Sequence, residues 1–155
     1  MDMNKKALQD NVKWNCYGCG TENSFGLKIK SYVDQKDYIC EWEAEEKYEA
    51  HPGKYHHGVL TTICFCHGAW AAIAEDCKKS NRDLIDPLEA FYVNESITYN
   101  VINPILVGSR ILIKARVTLV SGNVAEVTFN IFANSVHCAE AKTKLNKKYA
   151  AEMVF

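Results

Sequence analysis

The stretch His51 to Ser80, HPGKYHHGVLTTICFCHGAWAAIAEDCKKS, decides the fold. Pro52-Gly53 breaks the chain near its start, and from His57 onward the residues are apolar or small at almost every position until Glu75. A helix that is apolar on all sides must be surrounded by protein. The pattern therefore predicts one long buried helix over 57–79, ended by the polar run Ser80-Asn81-Arg82-Asp83 and by Asp86-Pro87. The uncharged run Tyr55 to Ala74 also has the length of a bilayer span, but it carries three His, two Gly and two Thr. A buried helix of a soluble protein is the expectation, with no membrane partner.

Outward from the helix the period changes from 3.6 to 2. On the N-terminal side, Leu27, Ile29 and Val33 and then Tyr38, Cys40, Trp42 and Ala44 alternate with other residues, as half-buried strands do. Asp34-Gln35-Lys36-Asp37 reads as the hairpin loop between them. On the C-terminal side, over 88–148, the alternation recurs at Phe91, Val93, Ile97, Tyr99 and Val101, at Ile111 to Leu119, at Val127 to Ala133, and more weakly at Ala139, Ala141 and Leu145. Ser121-Gly122-Asn123 and Asn134-Ser135 supply tight turns between the later strands. Two strands, one helix and four strands are satisfied together by an α+β hotdog fold, an antiparallel sheet wrapped around one long central helix. The same order of elements also fits a cystatin-like or other α+β roll.

At 155 residues, 48% of them hydrophobic, the chain suits one domain, with residues 1–26 as an N-terminal leader. Eighteen Lys and Arg balance nineteen Asp and Glu, which argues against a nucleic-acid partner that relies on phosphate neutralisation. The first residues, MDMNKKALQDNVKW, have scattered charges and no apolar run, so a cytoplasmic protein is expected. Seven cysteines, an odd number in a chain that is not short, read as free thiols rather than a disulfide framework.

Three segments resemble the hotdog acyl-CoA thioesterases related to phenylacetate-degradation thioesterases. The leader CYGCGTENSFGL, Cys16 to Leu27, is similar to a Cys-x-x-Cys-Gly, Asn, Gly-Leu entry found in one branch. HPGKYHHGVLTTICFCHGAW looks like the His-Gly-Gly start of the central helix, and ITYNVINPILVGSRILIKARV is similar to the strand, proline and glycine step that follows it. The resemblance implies hydrolysis of an acyl-CoA thioester by a homodimer or homotetramer with sites at the subunit interface. It implies no cofactor beyond the coenzyme A moiety of the ligand. It also implies that backbone N–H groups at the helix start, at His57 and Gly58 with Val59 next, polarise the thioester carbonyl. Unpaired N-terminal amides and the helix dipole favour negative charge there. The sequence departs from the pattern in that His56, His57 and Gly58 stand for His-Gly-Gly, and the expected carboxylate position is Phe65.

Helical spacing puts Gly58, Thr61, Thr62, Phe65, Gly68, Ala69 and Ala72 on one face, and none of these is a general base near neutral pH. Cys66 and His67 offer a thiol and an imidazole, although adjacent helical residues diverge by about 100°. His56 and His57 stand where a ring could orient water or contact the ligand. Asn94 falls where related thioesterases carry Ser or Thr, and alternation places it on the polar face with Ser96, Thr98 and Asn100. The candidate catalytic set is thus His57, Gly58, Asn94, Cys66 and His67, with Val59, Phe65 and His56 as ligand contacts. Lys114, Arg116, Lys142, Lys144, Lys147 and Lys148 could meet the phosphates of coenzyme A or stay solvated. Cys16 and Cys19 supply two of the four ligands that structural zinc usually takes, so a packed turn without metal is expected. A non-hydrolytic acyl-CoA or lipid-like ligand binder, or a purely structural oligomer, fits the same residues without the chemistry.

Overall fold

A computed structural model describes residues 6–85 and 87–152; Asp86 of the expected loop and the first five leader residues lie outside them. The strands are β1 Tyr32–Asp34, β2 Asp37–Glu43, β3 Glu49–His51, β4 Lys54–Tyr55, β5 Ala90–Val101, β6 Arg110–Ser121, β7 Val124–Ala133 and β8 Val136–Tyr149, and the helix α1 spans His57–Lys79. Six strands form one antiparallel sheet in the order β1-β2-β6-β7-β8-β5, while β3 and β4 make a small separate hairpin.

The helix begins and ends where its residues dictate. His56 caps it, its Nδ1 accepting from the Gly58 N–H at 2.8 Å. At the other end Lys78 and Lys79 complement the helix dipole, and the Ser80 N–H closes on the Asp76 carbonyl. Leu60, Ile63, Cys64, Trp70 and Ala71 are fully buried, and Gly68 lets α1 close on β7, since a Cβ there would lie 2.7 Å from Phe129 Cζ. Facing them across the core are Ile111 and Ile113 of β6, Val127, Phe129 and Ile131 of β7, and Ala139 and Leu145 of β8. A buried Leu, Ile or Phe contributes roughly 1.5–3 kcal/mol, so this apolar sandwich is the main stabilising element. Among the described residues α1 is also the one helix long and apolar enough to cross a membrane; half of its apolar window is buried inside the protein.

The turns follow from residue type. Asn134 and Ser135, at φ of 47° and 71°, form the two-residue link between β7 and β8, the twist a right-handed hairpin needs. Gly122, at φ 56°, serves the β6–β7 link, and Gln35 takes φ 55° between β1 and β2.

Three expectations are corrected. The run Leu27 to Val33 is not one strand: only Tyr32–Asp34 pairs with β2, whereas Leu27 and Ile29 donate to the Tyr17 and Gly18 carbonyls of the leader. Lys28, at φ 59°, breaks the extended run between them. Secondly, the alternation in β5 changes phase. A bulge between Asn94 and Ser96 moves the inward positions from Ala90, Tyr92 and Asn94 to Ile97 and Tyr99, so Val93 is exposed, while Phe91 packs at the margin of the core with Trp14 stacked on it. Finally, α1 is not buried all round. Gly58, Thr61, Thr62, Phe65 and Ala69 form a half-exposed strip, with the sheet and leader covering the other sides.

Candidate functional site

The half-exposed strip of α1 meets the inner face of β5, and the polar groups of that seam form the candidate site. At its upper end the His57 ring crosses α1 to β5, with Nδ1 2.8 Å from Tyr99 Oη and the two rings edge-on at 5.7 Å. Partial burial, reinforced by neighbouring His56, pushes the His57 pKa below its ordinary value, so the ring is neutral near pH 7. Burial raises Tyr99, which keeps its phenol protonated. Tyr99 was legible only as an alternating strand residue; its pairing with His57 spans 42 positions.

The amides of the first helical turn are largely taken. The Gly58 N–H donates to His56 Nδ1 and the Val59 N–H to the His56 carbonyl at 3.1 Å. Gly58 permits this closure, because a Cβ there would press on the His56 ring at 2.7 Å. Thr61 and Thr62 turn their hydroxyls back onto the Gly58 carbonyl at 2.7 and 3.3 Å.

Two turns further along, Asn94 corrects its expected position. The β5 bulge aims it inward rather than among the solvated residues, and its Nδ2 donates to the Phe65 carbonyl at 3.2 Å. Its Oδ1 is buried with no partner. Phe65 itself is half-buried, and no carboxylate shares the strip through Ala69. Asp76 is held at the far end by Lys147 at 2.8 Å and Arg82 at 3.0 Å.

Cys66 and His67 do not form a couple. The helix turns them apart: Cys66 faces the leader, its Sγ 3.9 Å from Cys16 Sγ, while His67 is fully buried. His67 Nδ1 lies 2.7 Å from Ser31 Oγ and its Nε2 3.2 Å from the Tyr38 carbonyl. Gln9 completes the chain, donating to Ser31 Oγ at 2.9 Å and accepting from the Ser31 N–H at 2.8 Å. A Ser–His contact of this length suits nucleophilic chemistry, but Gln9, Ser31 and His67 are all sealed from solvent. Desolvation pushes the His67 pKa down to about 4, and the satisfied network is a core-ordering element.

The basic residues of the later strands are mostly answered by acids: Arg116 by Asp37, Lys142 by Glu126, Lys144 by Glu95 and Lys147 by Asp76. An open groove of about 670 Å³ crosses β2, β6 and the β7–β8 turn, lined by Glu41, Glu43, Arg110, Lys114 and Phe132. It includes neither His57 nor Asn94.

No family model and no curated protein matches the sequence. Solved structures do. A thioesterase from Haemophilus influenzae superposes with a TM-score of 0.69 at 14% identity, over 88% of this chain and 90% of that one. A Streptococcus mutans protein bound to acetyl CoA gives 0.64 at 15% identity, over 78% and 89%. The Escherichia coli PaaI protein of the phenylacetic acid degradation operon gives 0.64 at 14% identity, over 79% and 80%. The chain therefore has the hotdog fold of the thioesterase structures it matches, a six-stranded antiparallel sheet wrapped around one long helix.

Proposed function

We propose that this protein binds an acyl-CoA thioester along the half-exposed strip of α1 and hydrolyses it, with no cofactor beyond the coenzyme A moiety of the ligand. The observation that carries the reading is Asn94 Oδ1, a buried amide oxygen without a partner beside the Phe65 turn. Buried polar atoms are nearly always satisfied, so such an acceptor marks a place for a water or a ligand group. The acetyl CoA on the similarly folded Streptococcus mutans protein supports the ligand class.

The reaction asks for a polarised carbonyl and a placed water. A Gly58 N–H released from the His56 cap suits the first and Asn94 the second, yet along one helix Phe65 lies about 12 Å from His57 at ~1.5 Å per residue. One thioester carbon cannot touch both in a single chain. We therefore place the site at an interface of a homodimer or homotetramer, where a second copy supplies the missing wall. The twelve-residue β5 has one paired edge and one free edge in the described sheet, which suits such pairing. The setting is the cytoplasm, where the seven free cysteines stay reduced. With the basic residues mostly paired, neither nucleic acid nor membrane is a proposed partner.

A non-hydrolytic acyl-CoA binder is the second reading, favoured by the carboxylate-free strip and by the His56 ring on the Gly58 amide. Free-thiol release from short, long and aromatic acyl-CoAs decides between the two, read beside calorimetric binding and light scattering. Turnover above buffer supports the hydrolase, and saturable binding without turnover the binder. A strict monomer that neither binds nor cleaves ends both readings.

A further inference from the structure

Cys16, Cys19 and Cys66 bring their sulfurs to within 4.8 Å of one another, although Cys66 is fifty residues from Cys16 in the chain. The local backbone is built for this convergence. Cys16-Tyr17-Gly18-Cys19-Gly20 is a tight turn closed by the Gly20 N–H on the Cys16 carbonyl at 2.8 Å, and it turns both thiols to one side. Gly20 has no room for a Cβ against the Cys16 backbone, and a Cβ on Gly18 would collide with Cys66 Sγ. Gly18 is thus required by the close approach of Cys66, and Gly20 by the closure of the turn on the Cys16 backbone.

The geometry points to a metal site: we propose that Cys16, Cys19 and Cys66 bind one zinc ion, or another thiophilic divalent metal, with a solvent molecule as the fourth ligand. Zinc–sulfur bonds of about 2.3 Å in a tetrahedron set sulfurs roughly 3.8 Å apart. The Cys16–Cys66 separation is already 3.9 Å, and the cluster limit of 4.8 Å leaves side-chain movements of about an ångström. Thiolate ligands select a soft or borderline metal over magnesium or calcium.

The surroundings suit the charge. Trp70 Nε1–H donates to Cys19 Sγ at 3.2 Å, the kind of outer contact that steadies a coordinating thiolate. Metal uptake displaces the thiol protons of the ligands and changes no oxidation state. Cys16 and Cys66 are only partly buried, which leaves an approach for the ion and for the solvent ligand.

Bound metal would rivet the leader to the helix turn next to Phe65, replacing reliance on the stacking of Trp14 on Phe91 and its edge-on contact with Trp70. The proposal is independent of any thioester chemistry. The test uses the full chain, stripped with a chelator under reducing conditions and titrated with cobalt(II), then zinc. One equivalent of cobalt per chain with thiolate-to-metal absorption bands is expected, and zinc should displace it. Zinc at about a thousand-fold over its dissociation constant should raise the melting temperature by roughly 10 °C. Cys16→Ala and Cys19→Ala should abolish the bands, whereas Cys138→Ala, on β8, should retain them. Should a Cys variant fail to fold by circular dichroism, thiol accessibility in the wild-type chain decides, since zinc should protect the partly exposed Cys16 and Cys66 from alkylation. Folded wild-type protein that takes up no metal overturns the site, and so does metal binding that survives in the folded Cys16/Cys19 double variant.

Discussion

Asn94 Nδ2 donates to the Phe65 carbonyl across 3.2 Å, yet the oxygen of the same amide is buried without a partner. A buried unsatisfied acceptor costs about 1–3 kcal/mol, comparable to what the Phe65 hydrogen bond returns. Asn94→Leu should therefore change the urea midpoint by no more than about 1 kcal/mol equivalent, while weakening acyl-CoA binding about tenfold. Loss of stability with unchanged affinity, measured by calorimetry, would make Asn94 a packing residue.

Phe65 occupies the position where the family resemblance expects a carboxylate, and it is half-buried rather than sealed. An acid there can reach solvent, so the penalty of an enclosed charge is moderated. General-base catalysis is worth roughly 10²–10⁴, so Phe65→Asp should raise thiol release at least tenfold over the parent. Phe65→Leu, with similar loss of the ring, should not. Equal rates for the folded Asp and Leu variants would show that position 65 does not face the thioester.

His56 holds the Gly58 amide. Removing the ring in His56→Ala should cost about 1 kcal/mol of stability, the worth of an N-cap, and free that N–H for a ligand oxygen. Tighter binding or faster hydrolysis of acyl-CoA in a slightly less stable protein is the expected pattern. A uniform loss of both would mean that the cap itself shapes the site.

The pKa of His57 is lowered in the fold by burial and then by His56. The unfolded chain therefore binds the proton more readily, and stability contributed by the neutral ring is fully present above the ordinary value of 6.5 and lost as pH falls below it. Relative to His57→Gln, the parent should lose stability on going from pH 7.5 toward pH 5, in denaturant melts, and its ring should titrate by NMR below 6.5. A midpoint at or above 6.5 would contradict the environment drawn for this ring.

The helix boundaries and the turns were legible because they depend on neighbours in sequence. His57–Lys79 follows from the apolar run and its breakers, and Asn134-Ser135 and Gly122 are residue types that tolerate positive φ. What could not be read depends on distant contacts or on a single inserted residue. The bulge at Asn94 reverses the parity of β5, so strict alternation put this amide on the wrong face. Leu27 and Ile29 look like strand residues, but their partners are the carbonyls of Tyr17 and Gly18. Likewise, nothing near Cys66 announces that the helix delivers it to Cys16 and Cys19 rather than to His67.

The placement of β5 has a kinetic consequence. The strands β6, β7 and β8 are joined by two-residue turns, whereas β5 reaches its partner β8 only by bringing together residues as far apart as Ala90 and Tyr149. Long-range closure has to be met before its contacts return any stabilisation, so the meander should form first and β5 should dock late. Pulse-labelled hydrogen exchange should find amides of β6 and β7 protected ahead of those in β5; the reverse order would refute the sequence of events. Because Asn94 and Tyr99 ride on that late strand, the seam with α1 is completed only after the meander has formed, and under mild denaturation it is expected to open before the pairing of β6 with β7.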